Sequence, residues 1–314
     1  MTDNLATQTI IYDLASSPNF ADSPLCFAAG NTGLLRSQDG GRTWSDALTS
    51  LNLSEALPIA SVVISPAFAT DKTVIAGTSG GILRSGDGGD TWQIVEFPSP
   101  PPFITSLAIS PNYERDGVIF AGTLEDGVFV SRDRGYLWNT WNFGLLDLNV
   151  LALAVSPAFA EDETIYAAVE SGIFRSTNGG RAWREIPFDL DHAPVISLAL
   201  SPQFAEDGVV MAGTEQHGLF KSENGGQAWE HLNSADIIGS VDAILLSSEF
   251  PFKPDLLALT GGEVLISNDG AATWRPWPGA ITIDEPLTAV LAPTGLDENA
   301  PLLGAIMNQG VKII

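Results

Sequence analysis

The chain is poor in cations. Fourteen Lys and Arg face 38 Asp and Glu among 314 residues, for a formal charge of −24. Such a field repels phosphate backbones and anionic lipid surfaces, which excludes nucleic acid and acidic membranes as expected partners. Cysteine is nearly absent: Cys26 stands alone, so no internal disulfide can form and nothing points to an oxidising compartment. Histidine is confined to His192, His217 and His231, with no close pair and no cysteine beside them, a set too dispersed for a zinc site. No apolar run approaches the ~18 residues of a membrane span. The opening MTDNLATQT has neither the basic start nor the apolar stretch of a leader. The expectation is a cytoplasmic protein, not inserted in a membrane and without cofactor or metal.

Helical periodicity is also missing, and 31 Gly and 20 Pro fall too densely for long helices. What the chain has instead is repetition. A box of the form Ser-x-Asp/Asn-x-Gly-x-x-Trp, its Gly replaced by Ala in the last copy, begins at Ser37, Ser85, Ser131, Ser176, Ser222 and Ser267. The box tryptophans Trp44, Trp92, Trp138, Trp183, Trp229 and Trp274 follow one another at 48, 46, 45, 46 and 45 residues. Before each box runs an apolar stretch, a Ser-Pro-x-aromatic turn rich in acids, and a second apolar stretch, as in SLAISPNYERDGVIFAGT from Ser106. A seventh, degraded copy starts at Thr288 and has no box.

Each unit thus contains four short β-prone runs; in the third they are Thr105–Ser110, Val118–Gly122, Val128–Ser131 and Trp138–Asn142. Four strands in a period of about 46 are the signature of a β-propeller blade. The expected fold is all-β, a single domain spanning 1–314, with seven four-stranded antiparallel blades near 10–55, 56–100, 101–146, 147–191, 192–237, 238–284 and 285–314. The last unit is one strand short, and a segment around Asp3–Thr9 is expected to supply it, clasping the ends together.

Within the box, glycines permit positive φ, Asp39, Asp87, Asp133, Asn178, Asn224 and Asp269 can accept turn amides, and each tryptophan offers a large ring for the seam between blades. A residue type that recurs in every blade is expected to build the fold. The boxes resemble the Asp-box, or BNR, repeat over essentially the whole chain, and the combination with Ser-Pro-x-Phe-x-x-Asp is similar to bacterial sortilin-like and photosystem II assembly-factor-like propellers. The resemblance implies the propeller fold and leaves activity open. Sialidases of this superfamily carry an Arg-Ile-Pro motif and an arginine triad. Here Arg184-Glu185-Ile186-Pro187 is the nearest run, and Arg36, Arg84, Arg175 and Lys221 occupy one repeated slot before the box serine. Xyloglucanases set two propellers across a cleft, and one ring supplies half of that.

Gly77-Thr-Ser79-Gly-Gly81 matches a nucleophile pattern, but falls between two strands and not at a strand-to-helix elbow. Specificity is therefore expected where blades differ: at the end of the ring opposite the boxes, in the turns between second and third strands and the connections between blades. Candidate binding residues there are Phe103, Glu125, Asp126, Trp141, Phe143, Asp147, Asp191, His192, Glu215 and His217. Aromatic anchors among acids suit a protein partner with a basic surface, with the chain acting as a non-catalytic scaffold or as one subunit of a larger complex. The second reading is a carbohydrate-binding or glycoside-hydrolase-like ring acting at its central pocket.

Overall fold

A computed structural model describes residues 8–95, 97, 100–188, 194–232, 236–278, 285–297 and 299–314. It is a seven-bladed β-propeller of antiparallel sheets in up-and-down order. Among the described residues six sheets have four strands and the seventh has three, Leu287–Leu291, Leu303–Ile306 and Gly310–Ile313. The clasp expected from Asp3–Thr9 lies mostly outside the described residues. Its last residue is placed: the Asn308 N–H donates to the Thr9 carbonyl (2.9 Å) and the Thr9 N–H to Asn308 Oδ1 (3.2 Å), so the two ends of the chain meet.

The hydrophobic core is divided among seven seams, each drawn from two neighbouring blades. Phe27 and Leu34 of blade 1 pack with Ile59 and Val74 of blade 2, and the pattern repeats around the ring. It ends where Ile11, Phe20 and Cys26 of blade 1 meet Ala289, Leu303 and Ala305 of blade 7. Second strands are covered on both flanks, and VIAGT, IFAGT and VMAGT are buried at every position. Their glycines admit the next blade: a Cβ on Gly77 would lie 2.4 Å from Ile104 Cγ2, and one on Gly122 would lie 2.6 Å from Val150 Cγ1. From blade 7 through blade 1 and on to blade 6, successive first strands pack side by side around the axis. In six of the seven blades, among the described residues, the register slips by one residue after the first pair, as between Ile59 and Ser61 or Ile104 and Ser106, and the resulting bulge bends the strand into the ring.

The acidic turns between first and second strands contain single-turn helices, Phe68–Asp71, Tyr113–Asp116, Phe159–Asp162 and Phe204–Asp207. Four residues are too few to leave a helical period, and these were not expected from the sequence. In each, the serine of Ser-Pro donates to the aspartate six residues on, as Ser65 Oγ does to Asp71 Oδ2 (2.7 Å). The box then ties back to this turn. Gly88 N–H donates to the Lys72 carbonyl (2.8 Å) and Gly225 N–H to that of Gly208 (2.9 Å), so boxes and helical turns share one end of the ring. Outer strands are shorter than expected: Asn139–Thr140 stands where Trp138–Asn142 was anticipated, because Trp138 is already turned into the seam and the chain leaves for the next blade.

Candidate functional site

The box closes on itself. In blade 1 the Ser37 hydroxyl donates to Asp39 Oδ1 (2.8 Å) and accepts the Gly41 N–H (2.8 Å). Asp39 Oδ1 also accepts the Thr43 N–H (2.8 Å), and the Thr43 hydroxyl donates to Oδ2 (2.7 Å). Asp87 with Thr91 and Asp269 with Thr273 repeat this arrangement. The Thr43 hydroxyl and N–H hold Asp39 well below the usual carboxylate range, at about 2, and Thr273 does the same for Asp269, also at about 2. Asp133, Asn178 and Asn224 keep only the single-oxygen version, accepting the N–H groups of Leu137, Ala182 and Ala228.

The tryptophans reach into seams. Trp92 Nε1 donates to the Ala47 carbonyl of the blade before it (2.9 Å) and Trp183 Nε1 to that of Trp141 (2.8 Å). Trp44 and Trp138 donate within their own boxes, to Gly41 and Gly135. Trp229 packs edge-on to Phe188, and Trp274 joins Ile244 and Leu265 in the core. The cation slot before the box bridges seams too: Arg84 Nε donates to the Arg134 carbonyl (2.9 Å) with its guanidinium over Tyr136, and Arg175 donates to the Gly225 carbonyl (3.3 Å).

Six of the ten candidate binding residues lie at the end opposite the boxes. Phe103, Glu125 and Asp126 belong to blade 3, Asp147 leads into blade 4, and Glu215 and His217 form a turn of blade 5. Asp191 and His192 fall outside the described residues. The Trp141 and Phe143 side chains turn away from this end, which corrects the sequence expectation, although the chain between them borders the turn 124–127: the Asn142 side chain donates to the Asp126 carbonyl (2.7 Å) and accepts the Val128 N–H (2.8 Å). Trp141 stands three residues after its box tryptophan, the slot filled by Ala47, Val95, Ile186, Leu232 and Trp277 in the other blades, and every one of these packs into a seam. Its ring is held between the Arg132 and Arg181 guanidinium groups, 5.0 and 5.6 Å away, against the box of blade 4. Phe143 is 80% exposed on the circumference, where its carbonyl accepts the Trp183 N–H (2.8 Å) and its ring borders a 580 Å³ groove with Arg175 and Ile186.

Around the turn 124–127 the remaining candidates gather with residues that sequence reasoning missed. Leu124 N–H donates to the Phe103 carbonyl on one side of the turn, and Gly127 N–H to the Leu148 carbonyl on the other, both at 3.0 Å. Phe103 (46% exposed), Leu124 and Leu148 thus flank Glu125 and Asp126, and Leu146 (81% exposed) lies two residues before Leu148 on the same connection. Asp147 braces this surface: its carboxylate accepts the N–H groups of Ser171 (2.8 Å) and Asn149 (2.9 Å). The available signal was the alternation Leu146-Asp147-Leu148, which the connection from blade 4 to blade 5 shares as Phe188-Asp189-Leu190.

At the axis, the half-buried positions of the inner strands are largely aliphatic, among them Leu153, Val155, Leu198, Leu200 and Leu245. Among the described residues two acids with shifted carboxyls lie on or just before these strands. Burial pulls the Asp13 carboxyl upward against the hydrogen bonds it accepts from Val62 N–H, Ser61 Oγ and Leu14 N–H. Asp242 is raised by burial as well, with Ser240 Oγ at 3.4 Å. Ser79 lies in the turn between two strands, and His231 is stacked on Phe220. Among the described residues no three His, Cys, Asp or Glu side chains group as a metal site would require.

No family model and no curated protein matches the chain. Solved structures share its fold at low identity. An ancestral GH74 enzyme superposes with a TM-score of 0.75 at 18% identity, covering 95% of this chain and 43% of its own. The extracellular domain of a one-component system from B. thetaiotaomicron gives 0.72 at 16%, covering 98% and 38%. YCF48 bound to D1 peptide gives 0.70 at 17%, covering 98% and 93%. The chain therefore spans well under half of the first two and nearly all of the third.

Proposed function

We propose that this ring is a non-catalytic platform that binds a protein partner through the end opposite the boxes, and that its boxes are Asp-box repeats of the sortilin-like kind serving only the fold. The observation that carries the reading is the exposed group Phe103, Leu124, Leu146 and Leu148 around the turn 124–127. Apolar side chains exposed together on a rigid sheet end are what a partner can desolvate, and acids at their rim add specificity. The like-folded YCF48, solved with a peptide, supports peptide or protein binding as a use of a single ring of this size. The GH74 neighbours support the alternative of glycan chemistry at the axis. Against that stand the aliphatic inner strands and an Asp13 whose carboxylate already takes three donors.

The test is capture from native lysate by the immobilised ring and by a Phe103→Ser/Leu146→Ser variant, beside a panel of chromogenic glycosides. The platform reading expects proteins retained by the parent and lost by the variant, with circular dichroism unchanged and no glycoside cleaved. Equal capture by both, or turnover of any glycoside, overturns it.

A further inference from the structure

Thirteen of the fourteen cations of this chain are at one end. Five sit next to last in a third strand, Arg36, Arg84, Arg175, Lys221 and Lys312, and two, Arg184 and Arg275, open an outer strand. Lys72, Arg115 and Lys253 lie on the turns between first and second strands, and Arg42, Arg132, Arg134 and Arg181 within boxes. Apart from Lys312, whose ammonium donates to Gln309 in the turn between second and third strands of blade 7, these positions belong to the box end. The ion pairs Arg36–Asp90, Arg181–Glu163 and Lys253–Asp297 lie there too, so box-end acids are partly neutralised. The opposite end carries Glu55, Glu125, Asp126, Glu170, Glu215 and Glu285, and the one cation that reaches it, on Lys312, is taken up by Gln309 of blade 7. The exposed apolar group on blades 3 and 4 therefore sits in an uncompensated negative field.

Resting on the platform reading above, we infer that the occupant of this surface is a polypeptide segment in which Lys or Arg alternate with large apolar residues. The apolar side chains would cover Phe103, Leu124, Leu146 and Leu148, while the cations face Glu125, Asp126 and Glu170. An acidic or neutral segment would leave those carboxylates to be desolvated without compensation. The field also extends beyond contact range by about a Debye length, roughly 8 Å in physiological salt, so it selects a cationic partner during encounter.

Selection from a random-peptide display library on the immobilised ring tests this. The selected peptides are expected to be rich in Lys/Arg and in Leu, Phe or Ile, and the best of them, synthesised with a fluorophore, serves as the probe. Its affinity should fall at least about ten-fold in Glu125→Lys/Asp126→Lys, and by a similar factor in Leu146→Ser. The control is Glu161→Lys/Glu206→Lys, which makes the same change in net charge on the exposed helical turns of the box end and should change binding less than about two-fold. Equal weakening by both double variants would mean bulk charge alone, and overturns the inference. Peptides that bind this end without enrichment in cations overturn it too, but leave the platform reading standing. A selection yielding no peptide that competes at this end counts against both.

Discussion

Asp39 and Asn178 hold the same turn with different reach. Where the box residue is aspartate and a threonine follows four positions later, as in Asp39 with Thr43, Asp87 with Thr91 and Asp269 with Thr273, both carboxylate oxygens are engaged. Where it is asparagine, alanine follows, and one oxygen suffices. The three engaged carboxylates have folded pKa values below their unfolded ones, so they stabilise the ring above the unfolded value and cease to do so as the pH falls through the folded value. Asp13 acts in the opposite sense, since burial raises it and acidification relieves that penalty. Urea midpoints followed from pH 5 down should drop between about 4 and 2, and Asp39→Asn/Asp87→Asn/Asp269→Asn should flatten that limb. The second box glycine offers a sharper contrast. A Cβ on Gly89, at φ +90°, would lie 2.6 Å from Phe27 Cζ of the preceding blade. Ala271 occupies the equivalent slot at φ +78°, in a core cluster with the thinner Met211. Gly89→Ala should therefore cost about 2–4 kcal/mol in chemical denaturation, and Ala271→Gly less than about 1 kcal/mol, since strain relieved and packing lost nearly cancel.

A blade is half an element, because each of its flat sides is finished by a neighbour. Trp141 belongs to such a side, and its truncation to alanine should lower unfolding free energy by about 2–3 kcal/mol as the guanidinium groups of Arg132 and Arg181 lose the ring between them. Phe143→Ala should stay within about 0.5 kcal/mol by the same urea assay. The strands, the ring and the division between recurring and irregular positions were legible in the sequence, because box spacing and turn residues repeat and because any one-residue slip would reverse the faces of a blade. The assignment of Trp141 failed on that same criterion. Counting three residues on from every box tryptophan gives Ala47, Val95, Trp141, Ile186, Leu232 and Trp277, a recurring apolar slot disguised by differing size and by lying after the motif. The group around Leu124 and Leu146 was not legible. Its members come from three separate stretches of chain, brought together only when the connection from blade 3 to blade 4 runs beside the turn 124–127.

For the whole ring, the informative reporter is Cys26. It is fully buried in the seam between blades 7 and 1, and burial pushes its thiol up to about 12, so neither access nor thiolate is available in the folded state. A thiol reagent should react only through opening of that seam. Leu303→Ala, in the same seam, should accelerate labelling, whereas Ile104→Ala, in the seam between blades 2 and 3, should do so far less. Equal acceleration by both would mean that the seams open together.

The seventh seam differs from the other six in one respect: it joins Ile11 and Cys26 to Ala289 and Leu303, residues from opposite ends of the chain. Six contacts can form between neighbours as the polypeptide emerges, but this one waits for nearly everything else and carries the largest entropic cost of closure. Until then the molecule is an arc with a bare apolar flank at either extremity. Two arcs can join flank to flank as readily as one can close, so refolding yield should fall steeply with protein concentration, and dilution should favour the ring.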